Sequence, residues 1–111
     1  MPRLADAVFE FIENQNIDKV FLLPGGGAMH LVDAVSRRPN INFIGVHHEQ
    51  SAGIAAEYYS RIKSKVGVAL VTTGPGATNV ITPFVGAWIE SIPILVISGQ
   101  VKRSDLMKKE D

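Results

Sequence analysis

The sequence predicts an α/β protein: a parallel sheet of about four strands covered by helices, in three αβα layers. Three observations carry this expectation. Short apolar runs alternate with longer segments of helical periodicity along the chain. The first run, Lys19-Val20-Phe21-Leu22-Leu23, is continuously apolar after its lysine, as a strand buried on both faces requires. Proline and glycine interrupt the chain where one element should pass into the next.

The elements follow in order. Residues 3–15 place Leu4, Val8, Phe11 and Ile12 on one helical face, with Asp6, Glu10, Glu13 and Asn14 largely elsewhere. The strand 19–23 is stopped by Pro24 and three glycines. Ala28 to Arg38 reads as a helix ended by Pro39. Residues 42–46 form a second short strand, and Glu49 to Lys63 an alanine-rich helix. Residues 66–71 form a third strand, followed by Thr72-Thr73-Gly74-Pro75-Gly76. Residues 77–90 are helical, and 93–97 form a fourth strand closed by Ser98-Gly99-Gln100. A mixed-charge tail from Lys102 to Asp111 is expected at the surface. No repeat, linker or low-complexity segment divides the chain, so residues 1–111 form one domain.

Composition narrows the function. The 111 residues are 46% apolar, enough for one core. The formal net charge is zero, which argues against a nucleic-acid partner. There is no cysteine, which excludes a disulfide scaffold and thiolate chemistry and fits a reducing compartment. No apolar stretch nears the roughly 18 residues of a membrane span. Asp6 stands where a signal peptide would need an apolar run. The expectation is a soluble, cytoplasmic protein with no membrane partner.

Loops that follow parallel strands gather beyond the strands' carboxyl ends, where such sheets bind ligands. That rule puts Pro24–Gly27, His47–Glu49, Thr73–Gly76 and Ser98–Gln100 on one edge, and these four stretches have the most unusual composition in the chain. Pro24-Gly25-Gly26-Gly27 lets backbone approach a ligand, but no Gly-Lys-Ser/Thr follows, so it is not a P-loop. Pro75 stiffens Gly74-Pro75-Gly76, which suits recognition of a flat ring through placed carbonyls. Thr78 and Asn79, taken singly, are expected to bond nearby backbone. His47 and His48 are neighbours pointing to opposite faces and are poorly placed to share an ion, so no metal ligand is assigned. Glu49 has a simple role as an acid in a first helical turn. Its sharper role is a buried acid whose pKa is raised by desolvation and which shares a proton with a ligand nitrogen.

One alternative is a dinucleotide-binding oxidoreductase domain. Gly25-x-Gly27 is present and Glu49 stands near the end of the second strand, where a ribose-binding acid belongs, although His30 replaces the third glycine. A second alternative is a non-catalytic module of the same fold. Two helices also point to a partner. The helix 77–90 is apolar around most of its circumference, with Val80, Ile81, Phe84, Val85, Trp88 and Ile89. The helix 49–63 offers Ala52, Gly53, Ala55 and Ala56 for close packing against a second surface.

Together these stretches resemble the N-terminal, pyrimidine-binding domain of thiamine-diphosphate-dependent enzymes, of the acetolactate synthase large-subunit type. The resemblance runs from about Leu4 to Val101. It rests on Val20-Phe21 leading to Pro24-Gly25-Gly26, His48-Glu49-Gln50 with Ala52 and Ala55-Ala56, Thr73-Gly74-Pro75-Gly76-Ala77-Thr78-Asn79, and Ser98-Gly99-Gln100-Val101. It implies the thiamine-diphosphate-binding fold and a 2-oxo-acid carboligase or decarboxylase. In the family, the glutamate matching Glu49 hydrogen-bonds N1′ of the cofactor's aminopyrimidine and activates the cofactor. The resemblance further implies cofactor contacts from Pro24, Gly25, Gly26, Thr73, Gly74, Pro75, Gly76 and Asn79, with Gly27 and Gln100 on the substrate side. It implies that the diphosphate and Mg2+ are held by a separate domain, commonly from a second subunit of a homodimer or homotetramer. The family's domain has about two more strands, so this one is expected to be incomplete at its C-terminal end. The sequence departs from the family at Ala56-Glu57-Tyr58-Tyr59-Ser60-Arg61, where many relatives have Ala-Asp-Gly-Tyr-Ala-Arg, and at Leu22-Leu23 and Gly27. These departures leave the substrate open, between pyruvate, another 2-oxo acid and a sugar-derived carbonyl.

Overall fold

The computed structural model describes residues 2–108. Four parallel strands, β1 (Lys19–Leu22), β2 (Asn42–Gly45), β3 (Gly67–Val71) and β4 (Ile94–Ser98), form one sheet in the order β2-β1-β3-β4. Five helices accompany them: α1 (Leu4–Asn14), α2 (Met29–Ser36), α3 (Glu49–Lys63), α4 (Pro75–Asn79) and α5 (Ile81–Ile89). Short 3-10 turns occupy Gly26–Ala28 and Arg103–Asp105.

The strand order dictates the layers. The chain steps from β1 outward to β2, then back across β1 to β3, then onward to β4. With right-handed crossovers, reversing direction puts α2 on one face and α3, α4 and α5 on the other. α1 joins α2 through ion pairs of Arg37 with Asp6 at 2.7 Å and Arg3 with Asp33 at 2.8 Å. These pairs are partly or largely exposed, so they orient the two helices more than they stabilise them.

β1 and β3 lie centrally, and Val20, Leu22 and the whole of β3 are buried. β2 is an edge strand with all four residues exposed, so its apolar Phe43 and Ile44 are only partly covered by the described residues. The inward face of α1 differs from expectation. Phe9 is fully buried with Ile12, whereas Leu4 and Phe11 are 82% and 64% exposed. The helix is rotated so that Ala5, Val8, Phe9 and Ile12 face the core.

The expected helix 77–90 is two helices. α4 begins at Pro75, whose fixed φ suits a first helical position. Pro83 has no N–H to offer the carbonyl of Asn79, so the ladder breaks at Val80 and α5 starts afresh. The small residues of α3 pack within the chain, which corrects their assignment to a partner surface. Ala52 and Ala56 are buried, and a β-carbon at Gly53 would strike Pro83 of α5. α5 is different: Ile81, Phe84, Val85, Trp88 and Ile89 are all exposed. Residues 101–108 of the charged tail are exposed as expected, and Lys109, Glu110 and Asp111 lie outside the described residues.

Candidate functional site

The chain reverses direction between β1 and β3, so their carboxyl ends open onto the crevice where sheets of this kind bind ligands. The loops expected there do meet. A β-carbon at Gly25 would lie 2.5 Å from Thr72 Cβ, and one at Gly27 would lie 2.9 Å from Thr73 Cγ2. One at Gly99 would strike the Gly27 carbonyl. These glycines are needed because loop backbone lies directly against loop. The contacts are also hydrogen-bonded. Gln100 N–H donates to Gly27 O at 3.1 Å, and Gly99 N–H to Val71 O at 2.9 Å. Thr73 Oγ1 donates to Gln100 Oε1 at 3.2 Å, and Val101 N–H to the same oxygen at 2.9 Å. Gln100 thus links the loops after β1 and β3. On the other side of the first glycine turn, Pro24, Gly25 and Gly26 border a shallow hollow of about 470 Å³ with Met29, Val32, Asp33 and Ser36.

The second glycine loop is largely helical. Gly74 has φ +64°, which a side chain rarely tolerates. Its carbonyl accepts from Ala77 N–H at 3.0 Å and Thr78 N–H at 3.1 Å. That carbonyl therefore closes the first turn of α4 and is not left over for a ring. Thr78 Oγ1 bonds the Pro75 carbonyl at 3.2 Å, as expected for a local contact.

Glu49 opens α3 and is 8% exposed. The side chain of His48 caps the helix, its Nδ1 accepting from Gln50 N–H at 3.0 Å. Asn79 departs from its expected backbone bond: its Nδ2 donates to Glu49 Oε2 at 3.1 Å. The other carboxylate oxygen, Oε1, stands 3.6 Å from where a β-carbon of Gly76 would be, facing the second glycine loop. The Glu49 carboxyl is held below its ordinary pKa, not above it. Asn79's hydrogen bond contributes most, then that of Glu49's own backbone N–H. Desolvation acts upward, as the sequence suggested, but is outweighed; nearby His48 also favours the anion.

Thr72 was not singled out from the sequence. It lies beneath both glycine loops, and its Oγ1 is buried without a hydrogen-bond partner. The His48 cap and the Asn79–Glu49 bond also escaped sequence reading, because neither follows from periodicity or from a recognised spacing. The departures at Glu57, Tyr58 and Ser60 lie roughly 12 to 16 Å along α3 from Glu49. Tyr59 bonds Asp18 before β1 and Ser60 is buried, so these two serve the opposite end of the sheet. Among the described residues, no group of three or more His, Cys, Asp or Glu side chains is placed to hold a metal ion.

The crevice at a β1/β3 switch point, with a buried acid facing the second glycine loop, is the arrangement by which α/β domains bind ligands. Residues 2–110 match the model of the thiamine pyrophosphate enzyme family, N-terminal TPP binding domain. The chain belongs to this family. It is 47% identical over 95 residues to the mitochondrial acetolactate synthase catalytic subunit of Saccharomyces cerevisiae, covering 86% of this chain and 14% of that protein. It is 52% identical over 89 residues to the mitochondrial acetolactate synthase of Schizosaccharomyces pombe, covering 80% and 13%. It is 45% identical over 100 residues to the acetolactate synthase large subunit of Buchnera aphidicola subsp. Schizaphis graminum, covering 90% and 18%. The chain thus spans less than a fifth of the length of each of these relatives. Both fungal proteins are described as mitochondrial, so a cytoplasmic location is not a property of the whole family. No helix among the described residues is long and apolar enough to cross a membrane.

Proposed function

We propose that this chain forms the pyrimidine-binding half of a thiamine-diphosphate site in an acetolactate-synthase-like enzyme, and that Glu49 is the group that activates the cofactor. The observation that carries this is the state of Glu49: buried, with one carboxylate oxygen bonded to Asn79 and the other facing Gly76. That geometry fits a flat, nitrogen-bearing ring, because Oε1 offers one directed acceptor in a water-poor place. Thiamine diphosphate, when bound, supplies a carbon nucleophile that adds to a 2-oxo acid and an electron sink for the loss of carbon dioxide.

The chain's own residues have separate tasks. Glu49 would hold the ring nitrogen's proton at Oε1, the carboxylate oxygen that Asn79 leaves open. The Gly74–Gly76 turn, with Thr73 and Pro75, walls the ring. Pro24–Gly27 and Gln100 border the side from which a 2-oxo acid would approach. The chain offers no match for the diphosphate or its Mg2+, so those fall to a complementary domain, from a second subunit of a homodimer or homotetramer. Such a domain would also cover the exposed apolar side of α5. The family match spans the glycine turn on which the dinucleotide alternative rested, and acetolactate synthase relatives support the thiamine reading over it.

The test is Glu49→Gln in the full-length protein, with hydrogen–deuterium exchange at C2 of bound thiamine diphosphate as the readout. Exchange should slow by about a hundredfold or more while the cofactor still binds. Unchanged exchange would remove Glu49 from the role. Failure of the unmodified protein to bind thiamine diphosphate with Mg2+ would favour a non-catalytic module.

A further inference from the structure

We infer that Asn79 is a positioning residue for Glu49: its amide holds Oε2 and so leaves Oε1, beside Gly76, as the oxygen that meets the ligand. This rests on the proposed role of Glu49. It changes Asn79 from a residue that touches the cofactor into one that aims the residue that does.

The geometry supports it in four ways. An ionised carboxylate only accepts hydrogen bonds, so the group 3.1 Å from Oε2 must be the Asn79 nitrogen, and the amide orientation follows. Asn79 is itself fixed, because α4 is closed by Gly74 and started by Pro75, and the residue after it, Val80, is buried. The break that Pro83 imposes ends α4 at Asn79, so Asn79 sits in the last turn of a short helix that starts at Pro75. Finally, the first glycine turn, β3, α4 and α5 carry no ionisable side chain, so no charged group on those elements competes with the Asn79 amide for the carboxylate. The amide of Asn79 is therefore the main local control on that acid. A hydrogen bond to an ionised acceptor is among the stronger ones.

The experiment uses the full-length protein with Asn79→Asp, which keeps the shape, and Asn79→Ala. One readout needs no cofactor: the Glu49 carboxyl titration, taken as the infrared difference between each protein and its Glu49→Gln counterpart. The second is the pH profile of C2 exchange in bound thiamine diphosphate. Both variants should titrate Glu49 at higher pH, Asn79→Asp furthest, because a second carboxylate then faces the first. Exchange should slow about tenfold on the acid side, with its acid limb moved to higher pH. Loss of stability with both titrations unmoved and cofactor still bound would overturn the assignment of Asn79 and leave the cofactor reading standing. If Asn79→Ala does not fold, the shape-keeping Asn79→Asp decides the matter by the same criteria. An unmodified protein that cannot bind thiamine diphosphate would overturn the cofactor reading, and the inference with it.

Discussion

The Tyr59 hydroxyl donates to Asp18 Oδ1 at 2.7 Å and ties α3 to the residue that leads into β1. The bond is returned, since Asp18 N–H donates to the Tyr59 oxygen at 3.3 Å. The Tyr59 ring also stands edge-on to Phe21, with centroids 6.2 Å apart. Tyr59 therefore pins the end of the sheet away from the glycine loops.

Its removal should be felt as a pH-dependent loss of stability. The Asp18 carboxyl is held below its ordinary pKa, first by the Tyr59 hydrogen bond. A depressed folded value means the contribution is complete above the unfolded carboxylate value and is lost as pH falls through the folded one. Tyr59→Phe should cost about 1 kcal/mol at neutral pH, and the gap should narrow in strong acid. Urea unfolding midpoints at pH 7 and pH 3 measure this; a gap that is equal at both would show that Asp18 is not the partner that matters.

Gly67→Ala should be far more damaging than its size suggests. A β-carbon there would land on the Ala56 carbonyl, which is helix backbone and cannot swing aside. Prying α3 from β3 overpacks the core, at a cost of about 3 kcal/mol or more. The expected outcome is loss of soluble protein or a large drop in thermal midpoint. A midpoint within a degree or two of the unmodified protein would contradict the close α3–β3 packing.

The 111-residue chain alone should self-associate through α5. Trp88 is 79% exposed, with Ile81, Phe84, Val85 and Ile89 also exposed on the same helix. Sedimentation should detect dimers or larger species. Replacing Trp88 and Ile89 together by Asp should shift the chain to monomer and leave its unfolding transition in place. A sharp monomer without those changes would contradict the expectation.

The strands and their order along the chain were legible because buried parallel strands write continuous apolar runs between glycine and proline. The common edge of the four unusual stretches was legible for the same reason, since topology alone assembles it. Helix orientation was less legible. Leu4, Val8, Phe11 and Ile12 make as good a periodic face as Ala5, Val8, Phe9 and Ile12, and only the position of α2 and the sheet decides between them. The break at Val80 hinged on one missing amide, in Pro83, that an apolar pattern conceals. In the site, Glu49's burial was foreseen, but the sign of its pKa shift was not. Burial can be read from position in an element, whereas the opposing hydrogen bond comes from a side chain 30 residues away.

Where Gly99 lies against the Gly27 carbonyl and Gln100 donates to it, two distant parts of the chain share a backbone seam. The ordering entropy of this rim is therefore surrendered during folding, before any ligand arrives. A molecule entering the crevice meets a surface already shaped, and its affinity is not reduced by freezing these loops.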